Sequence, residues 1–310
     1  MNKLRFGVID VGTLKVKLQI VEVGSTGKLK TIYASSEMTF LGHQVDQNGG
    51  RPRPENLKKT IVELARCKKV MDKEAVSKVR AVSTHALREM GAVGREIAAK
   101  IKKETGLTVE IISAQEEAEL FYKAVLADFK TNKDFTIVDV GGGSVQVLIG
   151  NKKKLKKSFL FKSGTITLWD KFTPKHTGMD APNREEIRMM KDYILAQLQP
   201  VPGKIKTPII YGSSCVIDLF KGIRVKMKPF SGSLSHPYKT DLTDLEKFLD
   251  QVWAVPYDVR EERYVSPTPQ YMWGIDRAFL NVVELAKKVG APYVIPSNAN
   301  INQGLILSML

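Results

Sequence analysis

Two aspartates occupy corresponding places in the chain, each at the end of an apolar stretch and just before a glycine turn. Asp10 lies within Gly7-Val8-Ile9-Asp10-Val11-Gly12-Thr13, and Asp139 lies within Thr136-Ile137-Val138-Asp139-Val140-Gly141-Gly142-Gly143-Ser144. Carboxylate oxygens are hard ligands of the kind that Mg²⁺ takes together with water and substrate phosphates. An aspartate before glycine can also simply build a turn. The duplication favours a shared role, and we expect Asp10 and Asp139 to face one cleft and hold magnesium.

The run Gly141-Gly142-Gly143-Ser144 has no bulky side chain that would keep a ligand away from the backbone. Successive N–H groups in such a turn can point at one anion and form a phosphate-binding concavity. A glycine triplet alone is weak support, and a purely structural hairpin turn is the alternative. The strand that ends at Asp139 and the alternating residues that follow Ser144 favour the phosphate loop.

A carboxylate that could activate water opens the helix after Ser113. Ser113-Ala114-Gln115-Glu116 matches the capping box, in which the serine and the glutamate satisfy each other's backbone N–H groups. Glu117 then points to another face, where it can accept a proton from attacking water. The alternative is a solvated acid that complements the helix dipole.

Arg88 follows a predicted strand in Ser83-Thr84-His85-Ala86-Leu87-Arg88. Its guanidinium can clamp phosphate oxygens in a bidentate manner, although an ordinary surface arginine would give the same pattern.

The elements that position these residues also occur twice. The strand–turn–strand unit at Asp10 returns at Asp139, and a third strand-to-turn unit follows at Pro208-Ile209-Ile210-Tyr211-Gly212-Ser213-Ser214-Cys215. Strands alternate with amphipathic helices, which predicts an α/β class. We predict one domain over 1–127 and a second over 128–297, with a C-terminal helix of about 298–310 packing back on the first.

Composition limits the partners without choosing one. The 310 residues are 43% hydrophobic and 26% charged, which is typical of an ordinary globular protein. Their formal net charge of +15 attracts anionic partners. The basic run Lys152-Lys153-Lys154 with Lys156 and Lys157 has no interleaved aromatic residues, which disfavours nucleic acid. Cys67 and Cys215 suggest no disulfide framework, and no apolar stretch predicts a signal peptide or a membrane span. We therefore expect a cytoplasmic protein with no membrane partner.

These segments together resemble the exopolyphosphatase and guanosine pentaphosphate phosphohydrolase family, Ppx/GppA, within the actin-like ATPase superfamily. The resemblance covers nearly the whole chain. It implies two ribonuclease H-like (actin-like) domains, with mixed sheets flanked by helices and a cleft between them. It also implies magnesium-assisted removal of the terminal phosphate from polyphosphate or from guanosine pentaphosphate (pppGpp).

The resemblance also implies individual roles. Glu117 corresponds to the catalytic base, Asp10 and Asp139 to metal and water-orienting carboxylates, and Arg88 to a phosphate contact. The expected phosphate-binding residues are Gly12, Thr13, Lys15, Gly141, Gly142, Gly143, Ser144, Gly212, Ser213 and Ser214.

Some positions depart from the family pattern. Gln146 stands where a glutamate that assists metal or water is usual, and Thr13-Leu14-Lys15 replaces Ser-Asn-Ser. Asn302-Gln303-Gly304 stands where Arg-Glu-Gly is common, and Ala92 where asparagine is common. Gln146 leaves a second interpretation open, a binding or sensor protein with weakened turnover, and a kinase of the same superfamily is a third. The sequence does not decide whether the chain forms a homodimer.

Overall fold

A computed structural model describes residues 4–24, 27–129, 131–177, 180–213, 216–230, 235–264, 272 and 274–310. The chain divides into two compact units. The first runs to Ala124 and also includes Ile301–Leu310, and the second is Val125–Asn300.

Strands and helices alternate along much of the described chain. The strands are β1 Leu4–Val11, β2 Lys15–Val23, β3 Leu29–Met38, β4 Lys78–Ser83, β5 Val109–Ile111, β6 Phe135–Val140, β7 Val145–Asn151, β8 Lys154–Phe161, β9 Ile209–Gly212, β10 Lys228–Pro229, β11 Tyr238–Lys239 and β12 Val294–Ser297. The helices are α1 Pro54–Lys73, α2 His85–Glu89, α3 Ala92–Thr105, α4 Ala114–Leu126, α5 Thr165–Phe172, α6 Arg184–Gln197, α7 Val216–Gly222, α8 Leu242–Trp253, α9 Tyr257–Arg263, α10 Ile275–Val289 and α11 Ile301–Met309.

The first unit has a five-stranded mixed sheet in the order β3-β2-β1-β4-β5. β1, β2 and β3 are antiparallel neighbours, whereas β4 and β5 run parallel to β1. One face of the sheet packs against apolar side chains of α1 and α3, including Leu64 and Ile101. The other packs against α4 and α11, where Leu120 and Leu305 join one cluster with Phe6 and Val8. The C-terminal helix therefore belongs to the core of the first unit.

The second unit repeats this plan. Its sheet has the order β12-β9-β6-β7-β8, in which β6, β7 and β8 are antiparallel and β9 and β12 run parallel to β6. Counted from β8, the strand order matches that of the first unit. The amphipathic helices α6, α8 and α10 bury one large cluster that includes Ile194, Phe248 and Phe279. Two mixed sheets flanked by helices confirm the predicted α/β fold class.

A helix that crosses a membrane must be long and apolar. In the described residues, every helix is too short or too polar to cross a bilayer.

Candidate active site

In the first unit, the predicted site residues follow three strands that end at one edge of the sheet. The ends of β1, β4 and β5 lie in register, with Val11 paired to Ser83 and Ser83 paired to Ile111. Ser83 Oγ also donates a hydrogen bond of 2.8 Å to the carbonyl of Val11. Because these strands are parallel, the segments that follow them leave the sheet at the same edge. The turn after Asp10, the helix with Arg88 and the helix with Glu117 therefore start side by side.

Arg88 and Glu117 contact each other directly. Arg88 Nη1 lies 2.9 Å from Glu117 Oε2 and also donates to the carbonyl of Ile112 at 3.1 Å. Both side chains are largely buried, with exposed fractions of 17% and 11%. Arg88 Nη2 is buried, and the described residues offer it no acceptor. The pair thus combines a carboxylate suited to accept a proton with a guanidinium whose Nη2 group has no acceptor among the described residues.

The carboxylates of Glu116 and Glu117, two neighbouring residues at the start of α4, bind different partners. The Ser113 hydroxyl accepts the Glu116 N–H at 3.0 Å, which is one half of the predicted capping box. The carboxylate of Glu116 instead accepts from Arg80 Nη2 at 2.6 Å, because a charged partner is a stronger donor than a backbone N–H. Two adjacent glutamates therefore have different arginine partners.

The turn after β1 is fixed through its carbonyl groups. Gly12 N–H donates to the carbonyl of Lys15 at 2.8 Å, and the carbonyls of Thr13 and Leu14 accept from the backbone of residues 39–42. The Thr13 hydroxyl is buried, and the described part of the chain supplies no partner for it. Lys15, a predicted phosphate contact, is also buried, with 7% of its surface exposed. A turn held by its carbonyls keeps N–H groups available for an anion.

Asp10 is buried in the sheet beside a lysine. Antiparallel register pairs Asp10 with Lys17, and Lys17 Nζ lies 3.5 Å from Asp10 Oδ2. Asp10 Oδ1 is buried and has no hydrogen-bond partner in the described chain. Burial raises the pKa of the Asp10 carboxyl above its ordinary value, while the charge of Lys17 acts in the opposite direction. The loss of hydration is thus the larger effect on this carboxyl.

The glycine turn of the second unit repeats the geometry of the first. Gly141 N–H donates to the carbonyl of Ser144 at 2.9 Å, and the carbonyls of Gly141 and Gly142 accept from the first N–H groups of α5. Thr167 Oγ1 donates to the carbonyl of Gly143 at 2.8 Å. Across the described residues, no hydrogen bond engages the N–H groups of Gly142 and Gly143. These donors suit an anion.

Gly164 allows α5 to approach that turn. A Cβ at Gly164 would lie 2.4 Å from the carbonyl oxygen of Gly142 and 2.5 Å from Ser144 N. Real Cβ atoms do not approach backbone atoms so closely. Gly164 is therefore needed for the packing of the glycine turn even though it lies outside the glycine run.

Asp139 and Gln146 are cross-strand neighbours at the base of the second turn. Gln146 is buried, with 3% of its surface exposed, at the place that Lys17 occupies beside Asp10. The third predicted turn leaves the same sheet edge, since Val138 pairs with Tyr211 at the end of β9. Gly212 closes β9, and Ser213 N–H lies 3.5 Å from the carbonyl of Ser297. Ser214 lies outside the described residues.

The Asp10 carboxylate would hold Mg²⁺ only together with oxygen ligands from a substrate and water. Among the described residues, no three His, Cys, Asp or Glu side chains form a group that could hold a metal ion. Mg²⁺ usually binds through one or two carboxylates plus substrate phosphates and water, so three protein ligands are not required. The unused Asp10 Oδ1 is a suitable oxygen for that mode.

Sequence reasoning missed Lys17, Gly164 and Thr167. The alternating pattern of β2 contained the signal for Lys17, because a tight turn fixes which residue lies opposite Asp10. Gly164 and Thr167 are distant in sequence from the turn that they support, and local spacing carried no signal for them.

Comparison with known proteins agrees with this architecture. The family model for the Ppx/GppA phosphatase family matches residues 19–261, and the chain belongs to that family. Exopolyphosphatase 2 of Mycobacterium tuberculosis is 26% identical over 210 residues, which cover 64% of this chain and 63% of that protein. The chain thus matches somewhat less than two thirds of that relative's length.

Solved structures are similar over almost the whole chain. An exopolyphosphatase from Cytophaga hutchinsonii is 25% identical with a TM-score of 0.84, and the match covers 98% of this chain and 97% of that one. A Ppx/GppA family member from Aquifex aeolicus is 24% identical with a TM-score of 0.76, covering 99% and 98%. The latter similarity concerns the fold.

Proposed function

We propose that this chain hydrolyses the terminal phosphoanhydride bond of a phosphate chain, with Glu117 as general base. The observation that carries the proposal is the Arg88–Glu117 pair at the sheet edge where the phosphate-type turn begins. Membership of a phosphatase family and a relative named exopolyphosphatase support the same reaction class.

In the proposed reaction, the phosphate chain lies against turn N–H groups, and Arg88 Nη2 donates to an oxygen of the terminal phosphoryl group. Glu117 accepts a proton from a water molecule whose oxygen bonds to the terminal phosphorus. The bridging P–O bond breaks, and its electron pair stays on the shortened chain. Asp10 and Asp139 are the residues proposed to hold Mg²⁺, which would offset phosphate charge.

The decisive test replaces one carboxylate and keeps its neighbour as a control. Glu117→Gln should lower the rate of phosphate release from polyphosphate by about 10²–10⁴-fold, the usual contribution of a general base. Glu116→Gln makes the same chemical change one residue away, where the carboxylate pairs with Arg80, and should keep near-normal turnover. Equal rates for Glu117→Gln and the wild type would refute the assignment.

Substrate choice is the finer part of the proposal, and we favour polyphosphate over guanosine pentaphosphate. Exopolyphosphatases 1 and 2 of mycobacteria are among the similar proteins, and the strongly basic chain suits a long polyanion. Parallel assays at equal phosphate concentration should give the larger kcat/KM with long-chain polyphosphate. A larger value with the guanosine nucleotide would reverse the choice.

One observation favours a second candidate, a sensor that binds phosphate chains with weak turnover. Gln146 lies beside Asp139 where the family pattern has a carboxylate, and it is buried. If that loss limits turnover, Gln146→Glu should raise kcat while calorimetric affinity for polyphosphate stays similar. Fast wild-type turnover that Gln146→Glu does not increase would eliminate the sensor.

A further inference from the structure

The second unit contains a cavity that the proposed reaction does not use. It is a half-open cleft of about 750 Å³ and lies between the end of α7, one side of α8 and the last residues of α9. Cavities that hold small molecules typically measure about 300–1,000 Å³. The space is therefore large enough for a ligand of nucleotide size.

Among the described residues that line this cavity, the charged groups are almost all positive. They are the cations Arg224, Lys226, Lys247 and Arg263 and one carboxylate, Asp244. The whole chain has 48 lysine and arginine residues and 33 aspartate and glutamate residues. The ratio of basic to acidic side chains is therefore much higher in the cavity lining than in the chain as a whole. In the described residues, none of these four cations forms an ion pair. Lys226 acts through its charge on the Asp241 carboxylate, but none of the four has to break an ion pair before it binds an anion.

Arg224 has an unusual backbone for its residue type. Its φ is 60°, in the left-handed region, where it closes α7 in a Schellman motif. Arg224 N–H bonds to the carbonyl of Lys221, and Val225 N–H bonds to that of Phe220. Glycine is usual at this position because it adopts left-handed φ without strain. A use for the charge of Arg224 would offset the strain of this backbone conformation.

Two aromatic rings form another part of the lining. Phe248 and Tyr264 pack edge to face with ring centroids 5.4 Å apart. Phe248 is buried, whereas Tyr264 is half-buried and can present ring surface to a ligand. A ligand that matches both parts of the wall carries a phosphate chain and a flat aromatic group.

We propose that this cavity binds a nucleotide, with its phosphates on the four cations and its base against Tyr264. Inorganic polyphosphate shares the phosphate chemistry but lacks a base for the aromatic wall. The inference does not rest on the proposed hydrolysis.

The test is calorimetric titration of the whole 310-residue chain carrying Glu117→Gln with ATP, tripolyphosphate and adenosine. We expect ATP to bind more tightly than tripolyphosphate, and adenosine alone to bind much more weakly. Arg224→Gly and Arg263→Glu should each weaken ATP binding by about 10–100-fold, the effect of losing a charge-assisted hydrogen bond. Arg184→Glu, an exposed charge reversal at the start of α6, should leave ATP binding unchanged.

The Arg224→Gly variant separates lost binding from lost folding. Removing strain at this position should raise the midpoint of thermal unfolding by ~2–4 °C while ATP affinity falls. Both cavity variants, made in the otherwise wild-type chain, should release phosphate at the normal rate with saturating polyphosphate, where charge-driven capture does not limit turnover, so failure of the hydrolysis proposal would be seen separately. Undetectable ATP binding, or ATP binding untouched by both variants, would overturn the cavity assignment. If tripolyphosphate bound as tightly as ATP, and Tyr264→Leu changed neither affinity, the assignment of a nucleotide as the ligand would be wrong.

Discussion

Asp10 carries a carboxylate that folding removes almost entirely from water. Burial raises its pKa, so its ionised form opposes folding near neutral pH. A carboxyl with a raised folded-state pKa contributes stability below its unfolded pKa, and that contribution is lost as pH rises through the folded-state pKa.

Asp10→Asn should therefore stabilise the first unit near pH 7 by about 1–2 kcal/mol, because the neutral amide avoids the cost of a buried charge that Lys17 offsets only in part. The gain should vanish in acid, where Asp10 is protonated. Denaturant unfolding at several pH values measures this, with exposed Asp250→Asn as the control. A gain that persists unchanged in acid would exclude this cause.

Arg88 acts through the geometry of its guanidinium. Nη1 serves both Glu117 and the carbonyl of Ile112, and Nη2 remains available. A lysine ammonium cannot reproduce this fork. Arg88→Lys should lower kcat/KM for polyphosphate by about 10–100-fold. Arg80→Lys, at the neighbouring arginine that pairs with Glu110 and Glu116, should change it little, and equal losses in both variants would argue against a specific role for Arg88.

Residue types and spacing located Asp10 because it lies near the end of an apolar strand, and Arg88 and Glu117 because each comes shortly after one. The roles of all three remain predictions. Residue types and spacing did not indicate that Arg88 and Glu117 would bond to each other. That contact depends on parallel pairing of strands that are distant in the chain, which local pattern does not specify. Lys17 was missed for a related reason, since its position opposite Asp10 follows from hairpin register.

At the scale of elements, close helix packing holds the Glu117 helix. A Cβ at Gly304 in α11 would lie 2.0 Å from the carbonyl oxygen of Leu120 in α4. Glycine inside a helix normally indicates weakness, so the sequence alone could not show that Gly304 marks a close contact. The hairpins and amphipathic helices, by contrast, were predictable because local periodicity encodes them.

Gly304→Ala should destabilise the protein by about 1–3 kcal/mol, because the methyl group has no room beside α4. The shift of α4 should also lower phosphate release, since Glu117 is on that helix. Gln303→Ala, at the adjacent and only half-buried position, is the matched control and should have little effect on either quantity. Thermal unfolding and the phosphate assay give the two readouts, and a fully stable Gly304→Ala protein would contradict the packing argument.

Helices α9 and α10 of the second unit share a buried charge cluster. Arg260 and Arg277 are fully buried, and the Asp276 carboxylate lies 3.1 Å and 3.3 Å from their guanidinium groups. Asp276→Asn would leave two buried cations without their nearby carboxylate, which should destabilise the protein by about 3–5 kcal/mol. Asp250→Asn on α8 is again the exposed control. Urea unfolding should show the difference, and a loss below about 1 kcal/mol would mean that the arginines are compensated elsewhere.

At the scale of the whole molecule, net charge affects how fast a polyanion arrives. The excess of +15 should raise the association rate of polyphosphate at low salt, where the screening length is long. We expect kcat/KM for long polyphosphate to fall by about tenfold or more between ~0.05 M and ~0.5 M salt. A kcat/KM that does not change with salt would show that attraction does not limit capture.

Charge reversal in the basic hairpin between β7 and β8 can show whether the polyanion is attracted by the net charge of the protein or by a local group of lysines. Lys152 and Lys153 lie at its exposed tip, and Lys58 and Lys69 are exposed on α1 of the first unit. If the hairpin is an ordinary solvated tip, reversing both charges in either pair changes the net charge equally and should lower kcat/KM at low salt by a similar factor. A clearly larger loss of kcat/KM for the Lys152→Glu, Lys153→Glu double variant would instead identify the hairpin as a local contact for the polyanion. Dissolved ions screen distant charges more than near ones, so a larger effect requires charges close to the bound polyanion.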